Sequence, residues 1–403
     1  MRPLTAPTTL LFTLLFTSAT SLPQPSSRSN SSAPSVWSNR KFTGANLGGW
    51  LVQEKSLDTT FWNTFAPNAS DEWTLCTTLG PSKCAGVLEH RYATWITNDT
   101  IDLLASVGVD LLRIPSTYAA WIDLPGSQLY SGDQLVYLRE ITEYAIQRYD
   151  MHIILDIHSL PGGLNGLDIG EKTGNWGWFF NSTAWTQSLE IIDKVVHFIS
   201  SSSHPGSFTL EPMNEPADRN MDSDLGMAAF GTPSALSDEG AGYVLDFWKA
   251  VLERVRDLEK TYGLDVGGIP IALQSFKLPS YWGRNFTGSD NVLFDMHNYY
   301  FEGRNTTSEN MGSYMLSDAQ AKQGDPEVGI PVFIGEWAIQ TAYDNSLELR
   351  ERNVKTGLRI WDSYMQGSAY WAARFEGEDA VDGEGTKRDY WSFERFIRLG
   401  FFD

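Results

Sequence analysis

The sequence predicts an α/β protein, a single (β/α)8 barrel of the TIM type with extended loops at its C-terminal face. Three observations carry this. Eight short runs rich in apolar and β-branched residues follow one another from residue 42 onward. Helical patterns fill most of the gaps between them. Polar, titratable or aromatic residues stand at the ends of seven of the runs, where a closed α/β barrel gathers its site.

The runs are 42–48 (FTGANLG), 109–115 (VDLLRIP), 152–158 (HIILDIH), 207–215 (SFTLEPMNE), 269–275 (IPIALQS), 291–300 (NVLFDMHNYY), 331–337 (PVFIGEW) and 367–375 (GSAYWAARF). Among the helical patterns are 96–108, capped by Thr97 or Asn98, then 135–150, and 241–263, which ends at a glycine. Their apolar residues recur at helical spacing. Alternating strands and helices argue for a parallel sheet rather than a sandwich. A doubly wound open sheet is the alternative. It would carry a glycine-rich phosphate loop after the first strand, but Gly48-Gly49 runs into Trp50.

Residues 1–21 read as a signal peptide: Met1 and Arg2, an apolar stretch at 10–16, then small residues. The stretch is too short to span a bilayer. Residues 22–40 read as a Ser/Pro-rich linker with little to bury, and 41–403 as the catalytic domain. Asn-X-Ser/Thr sequons begin at Asn30, Asn68, Asn98, Asn181, Asn285 and Asn305, which fits a secreted glycoprotein. The two cysteines, Cys76 and Cys84, are expected to form one local disulfide. The formal charge of −20 disfavours nucleic acid and anionic membrane as partners. With six histidines and none paired at the first run, no metal site is expected, and no cofactor.

The run ends bring Glu54, Arg113, His158, Asn214-Glu215, His297, Tyr299, Glu336 and Trp371 to one mouth. Each alone has a plain structural reading: Arg113 as an ion-pair partner, His158 and His297 as core histidines, Trp371 as packing, either glutamate as a hydrogen-bonded carboxylate. Together they point to chemistry. Two facing carboxylates suit glycoside hydrolysis, and retention needs them about 5–5.5 Å apart. Glu336 is expected to stay charged if Arg113 and Tyr299 reach it. Glu215, beside that charge, is expected to hold its proton.

Met213-Asn214-Glu215-Pro216 after one run and Phe333-Ile334-Gly335-Glu336-Trp337 in another resemble glycoside hydrolase family 5, of the Asn-Glu-Pro clan. The segments 46–54, 92–97, 112–115, 155–166, 297–300 and 390–393 are most similar to its fungal exo-β-1,3-glucanase branch. The resemblance implies Glu215 as acid/base and Glu336 as nucleophile. It implies Arg113, Asn214, His297 and Tyr299 as the polar frame, Glu54 and His158 as lining of the sugar subsite, and Trp371 as its aromatic floor. The implied reaction is hydrolysis of β-glucan by a monomeric, secreted enzyme without cofactor. The mouth departs from the branch: Leu167 stands where an aromatic clamp is usual, with Trp176, Trp178, Phe179 and Phe301 as substitutes, and 217–240 is long. Linkage is set by such loops, so endo-β-1,6-glucanase or another β-glycanase stays open, as does a non-catalytic sugar-binding barrel.

Overall fold

The computed structural model describes residues 35–218, 230–324, 327 and 329–403. Residues 1–34, and with them the signal peptide, most of the linker and the Asn30 sequon, lie outside it, as do residues 219–229 within the 217–240 stretch.

Eight parallel strands close in sequence order: β1 Phe42–Asn46, β2 Leu111–Ser116, β3 His152–Ile157, β4 Phe208–Glu211, β5 Ile271–Gln274, β6 Val292–Tyr300, β7 Val332–Thr341 and β8 Gly367–Tyr370, with β8 pairing back to β1. Each falls on one of the eight apolar runs. The expected helices are at Asn98–Ala105, Gln134–Tyr149 and Asp238–Tyr262. Thr97 is the first N-cap, its N–H donating to Thr100 Oγ1. Gly263 (φ +70°) ends the last in the left-handed conformation that glycine takes without a Cβ penalty.

Side chains alternate in and out along each strand, and the inside of the barrel is layered. The lower layer is apolar: Phe42, Leu111, Ile154, Ala272, Leu293, Phe333 and Ala369. Its floor is Trp37, which is 1 % exposed and comes from a short helix, Val36–Asn39. Trp37 meets Phe42 and Phe333 edge-on and donates its indole N–H to Thr209 Oγ1 of β4 at 2.9 Å. The sequence reading put these residues in a linker with little to bury. One tryptophan reverses that, because its large apolar surface closes the open end of the barrel. Trp37→Ala is expected to cost about 3–5 kcal/mol, the usual range for truncating a buried tryptophan, measurable by chemical denaturation.

The next layer up is polar and buried: Arg113, Asp156, Glu211, Gln274 and Asp295, two positions on from the apolar layer or from Thr209. Gly335 belongs to this level. A Cβ there would meet the Asp295 carboxylate at 2.0 Å, and the Gly335 N–H donates to Asp295 Oδ1 at 2.6 Å.

Outside the barrel, Cys76 and Cys84 form the expected disulfide, with Cα atoms 5.0 Å apart, joining helices Glu72–Leu79 and Pro81–Thr94. Among the described residues no helix is long and apolar enough to cross a membrane. Glu72, the first residue of the helix Glu72–Leu79, is buried, and burial pushes its carboxyl up to about 8. The folded chain therefore keeps a proton that the unfolded chain releases. Stability from this group is complete below the ordinary glutamate value and is lost as pH climbs toward about 8. Glu72→Gln is expected to stabilise the protein at pH 8 by roughly 1–3 kcal/mol and to change little at pH 4, read from thermal melts at both.

Candidate active site

The site is built on Arg113, fully buried in the polar layer. Its Nε and Nη2 donate to Glu211 at 2.8 and 2.9 Å. Nη2 also reaches Asp156 Oδ2 at 3.0 Å and Asn214 Oδ1 at 2.9 Å. Nη1 donates to Glu336 Oε1 at 2.7 Å and Asn46 Oδ1 at 3.0 Å. One guanidinium thus orients both the proposed nucleophile and its neighbouring amide. Burial pushes Asp156 and Glu211 up to about 7, against the pull of Arg113. Arg113→Ala would strand several carboxylates, and is expected to cost about 3–5 kcal/mol in denaturant melts along with activity.

Glu336 reaches this cluster through an irregularity in β7. Met296 pairs with Ile334 but His297 pairs with Glu336, so β7 carries one extra residue. Simple alternation from the inward Phe333 and Gly335 would turn Glu336 outward. The bulge re-aims it inward. Its Oε2 accepts from the Tyr299 hydroxyl at 2.6 Å. Asn214 and Glu215 lie just beyond β4, and Glu215 has φ +50°. His297 Nδ1 is 2.7 Å from Glu215 Oε1 and 3.4 Å from Glu336 Oε2. An oxygen of Glu215 and one of Glu336 lie within 4.8 Å of each other.

The two carboxyls are 4 % exposed each. Burial raises both, but not equally. Glu215 is pushed well up by burial and by the charge of Glu336. Glu336 is raised by burial alone among its leading influences, and Arg113 and the Tyr299 hydroxyl hold it down. When one proton is shared between them, it sits on Glu215. His297 is kept neutral by burial and by Arg113.

His158 follows β3. Burial takes it down to about 3, so it is neutral and donates from Nδ1 to Asp156 Oδ2 at 2.6 Å. Its Nε2 then accepts from Asn214 Nδ2 at 3.4 Å. Its ring lies parallel to that of Trp371, 9° between planes and 5.8 Å between centroids. Glu54 is buried at the same mouth, pushed well up by burial, then by the charges of Asp168, Glu336 and Glu215. Its Oε1 has no partner among the described residues. All nine sequence-predicted site residues therefore come together.

The sequence reading missed Asp156, Glu211 and Asp295, which share Arg113, and Asp168 near Glu54. A signal for the first three existed: each is an acid inside an apolar strand run, two or four positions before a site residue. Of the suggested clamp aromatics, Trp178 is a core side chain against Phe247 and Tyr243. Phe301 is 38 % exposed beside Tyr299.

Comparison with known proteins places this architecture. The Cellulase (glycosyl hydrolase family 5) profile matches residues 76–377. The chain belongs to glycoside hydrolase family 5. As a family 5 glycoside hydrolase it is similar to the crystal structure of rutinosidase from Aspergillus niger, with 53% identity and a TM-score of 0.87, covering 91% of this chain and 99% of that one. It is 27% identical to a probable glucan 1,3-beta-glucosidase A of Aspergillus fumigatus over 352 residues, 87% of this chain and 76% of that protein. It is 31% identical to glucan 1,3-beta-glucosidase 1 of Schizosaccharomyces pombe over 192 residues, 47% of this chain and 46% of that protein.

Proposed function

We propose that this family 5 enzyme is a secreted, retaining β-glycosidase with Glu336 as nucleophile and Glu215 as acid/base. The approach of the two carboxylates to within 4.8 Å carries the reading, because inversion would need about 6.5–9.5 Å to admit a water between them. Glu336 attacks the anomeric carbon as the bond to the leaving oxygen breaks. The electron pair stays on that oxygen, which takes the proton of Glu215. Glu336 is now an uncharged ester, so Glu215 loses the neighbour that kept it protonated and becomes a base. It takes a proton from water, the water oxygen bonds to the anomeric carbon, and Glu336 leaves as carboxylate. One water is consumed and both groups return to their starting states.

Asn214, held by Arg113 and His158, is in place for the sugar 2-hydroxyl. Glu54, His158 and Trp371 line the glycosyl subsite, and Tyr299 and His297 frame the pair.

For the substrate, 53% identity over nearly the whole of the rutinosidase chain supports a rutinoside, a β-glucoside whose 6-oxygen carries rhamnose. Release of glucose from β-1,3-glucan is the second reading, supported by the glucan 1,3-beta-glucosidase relatives at 26–31% identity. The test is incubation with rutin and, separately, laminarin, followed by proton NMR. Intact rutinose appearing first as the β anomer supports the first reading. Glucose from laminarin with none from rutin supports the second. An α anomer formed first from either would overturn retention.

The reading includes cleavage of residues 1–21, a linker from 22 that ends before Val36, a catalytic unit that includes the Val36–Asn39 helix with 41–403, and action as a monomer. Asn68, Asn98, Asn181, Asn285 and Asn305 are all exposed, which suits glycosylation. The intact mass of the secreted chain before and after glycosidase treatment tests both.

A further inference from the structure

Glu215 stands in the left-handed region, φ +50°, which a residue with a side chain rarely adopts. It lies four residues past the β4 ladder, which ends at Glu211. Its two backbone polar groups are then served by side chains. The Glu215 N–H donates to Gln274 Oε1 at 2.6 Å. The Glu215 carbonyl accepts from Asn165 Nδ2 at 3.2 Å. Both amide side chains are fully buried. Gln274 is the last residue of β5 and Asn165 lies in the loop after β3, so groups beyond two different strands hold the peptides on either side of one residue. The Nε2 of Gln274 is buried with no partner among the described residues. A buried amide with an orphaned donor is costly, so its retention calls for a reason beyond packing.

We propose that Gln274 is a positioning residue for the acid/base: by accepting the Glu215 N–H it holds that residue in its left-handed turn, and so sets where the Glu215 carboxyl meets the leaving oxygen. This rests on the reading of Glu215 as acid/base. Without the acceptor, the Glu215 peptide is free to rotate toward an unstrained conformation, and its carboxyl swings away from His297 and the scissile bond. Displacement of a catalytic group by about 1 Å is enough to cost roughly 10²-fold. The loss falls only on protonation of the leaving group, because Glu336 is held separately by Arg113 and Tyr299.

The test is a leaving-group series. Gln274→Leu, Gln274→Glu and Glu215→Ala are compared with the unaltered enzyme on β-glucosides running from 2,4-dinitrophenol to an alkyl alcohol as leaving group. Glycosylation rates come from kcat/KM. Gln274→Leu is expected to lose roughly 10²-fold with the alkyl leaving group and less than about threefold with dinitrophenol, which needs no proton. Gln274→Glu keeps an oxygen against the N–H and is expected to recover most of the loss. Uniform loss across the series, or no recovery in Gln274→Glu, would overturn the proposal. Should Gln274→Leu fail to fold, Gln274→Asn, which withdraws the acceptor by one methylene, is read the same way. If Glu215→Ala itself shows no leaving-group dependence, the acid/base reading falls. If it does and the Gln274 variants do not, only the positioning role falls.

Discussion

Glu336→Gln is expected to lower kcat by about 10⁴-fold or more on every substrate while leaving sugar binding nearly intact. The amide is close to the carboxylate in size, and Tyr299 and Arg113 still surround it. The lost property is the negative charge that forms the bond to the anomeric carbon. An activated leaving group gives no relief, because the missing step is attack. Single-turnover kinetics on an aryl glucoside, with product binding followed by calorimetry, separates the two effects. Residual turnover above about 1% would show that another group carries the attack.

Glu215→Gln is expected to behave differently. It should lose roughly 10²–10⁴-fold on substrates with poor leaving groups, which need protonation. With dinitrophenyl glucosides the first step should survive and the second should slow, so the glycosyl-enzyme accumulates and a burst of phenol precedes slow turnover. The pH profile gives an independent check. In the unaltered enzyme kcat/KM is expected to rise as Glu336 loses its proton and to fall as Glu215 loses its own. Burial raises both groups, so both limbs lie above the ordinary carboxylate range. Glu215→Gln should remove the alkaline limb and keep the acidic one. Equal loss on aryl and natural substrates would contradict the assignment.

The fold was legible because the strands are buried on both faces over most of their length and so appear as mainly apolar runs. The edges were less so. The run 207–215 ends as a strand at Glu211 because Pro212 follows and has no N–H for the ladder. The run 367–375 ends at Tyr370, where the chain turns to present Trp371. Which residues belong at the mouth was readable from polar groups closing apolar runs. How they touch was not. Glu336 faces inward through a bulge that strand alternation cannot foresee. Asp156, Glu211 and Asp295 looked like interruptions of apolar runs, yet they are the carboxyl groups gathered around a buried arginine. Gln274 and Asn165 are neutral amides whose roles depend on one backbone dihedral, and nothing in spacing or charge announces that.

Trp37 bears on where the N-terminus can be cut. Its indole seats in the barrel floor only while the backbone from Val36 to Asn39 leads into β1. A chain cut past Val36 loses that seat. A product beginning after residue 37 would keep every group at the catalytic mouth and still lose the stopper at the opposite end. The integrity of the barrel thus depends on a side chain far from the chemistry.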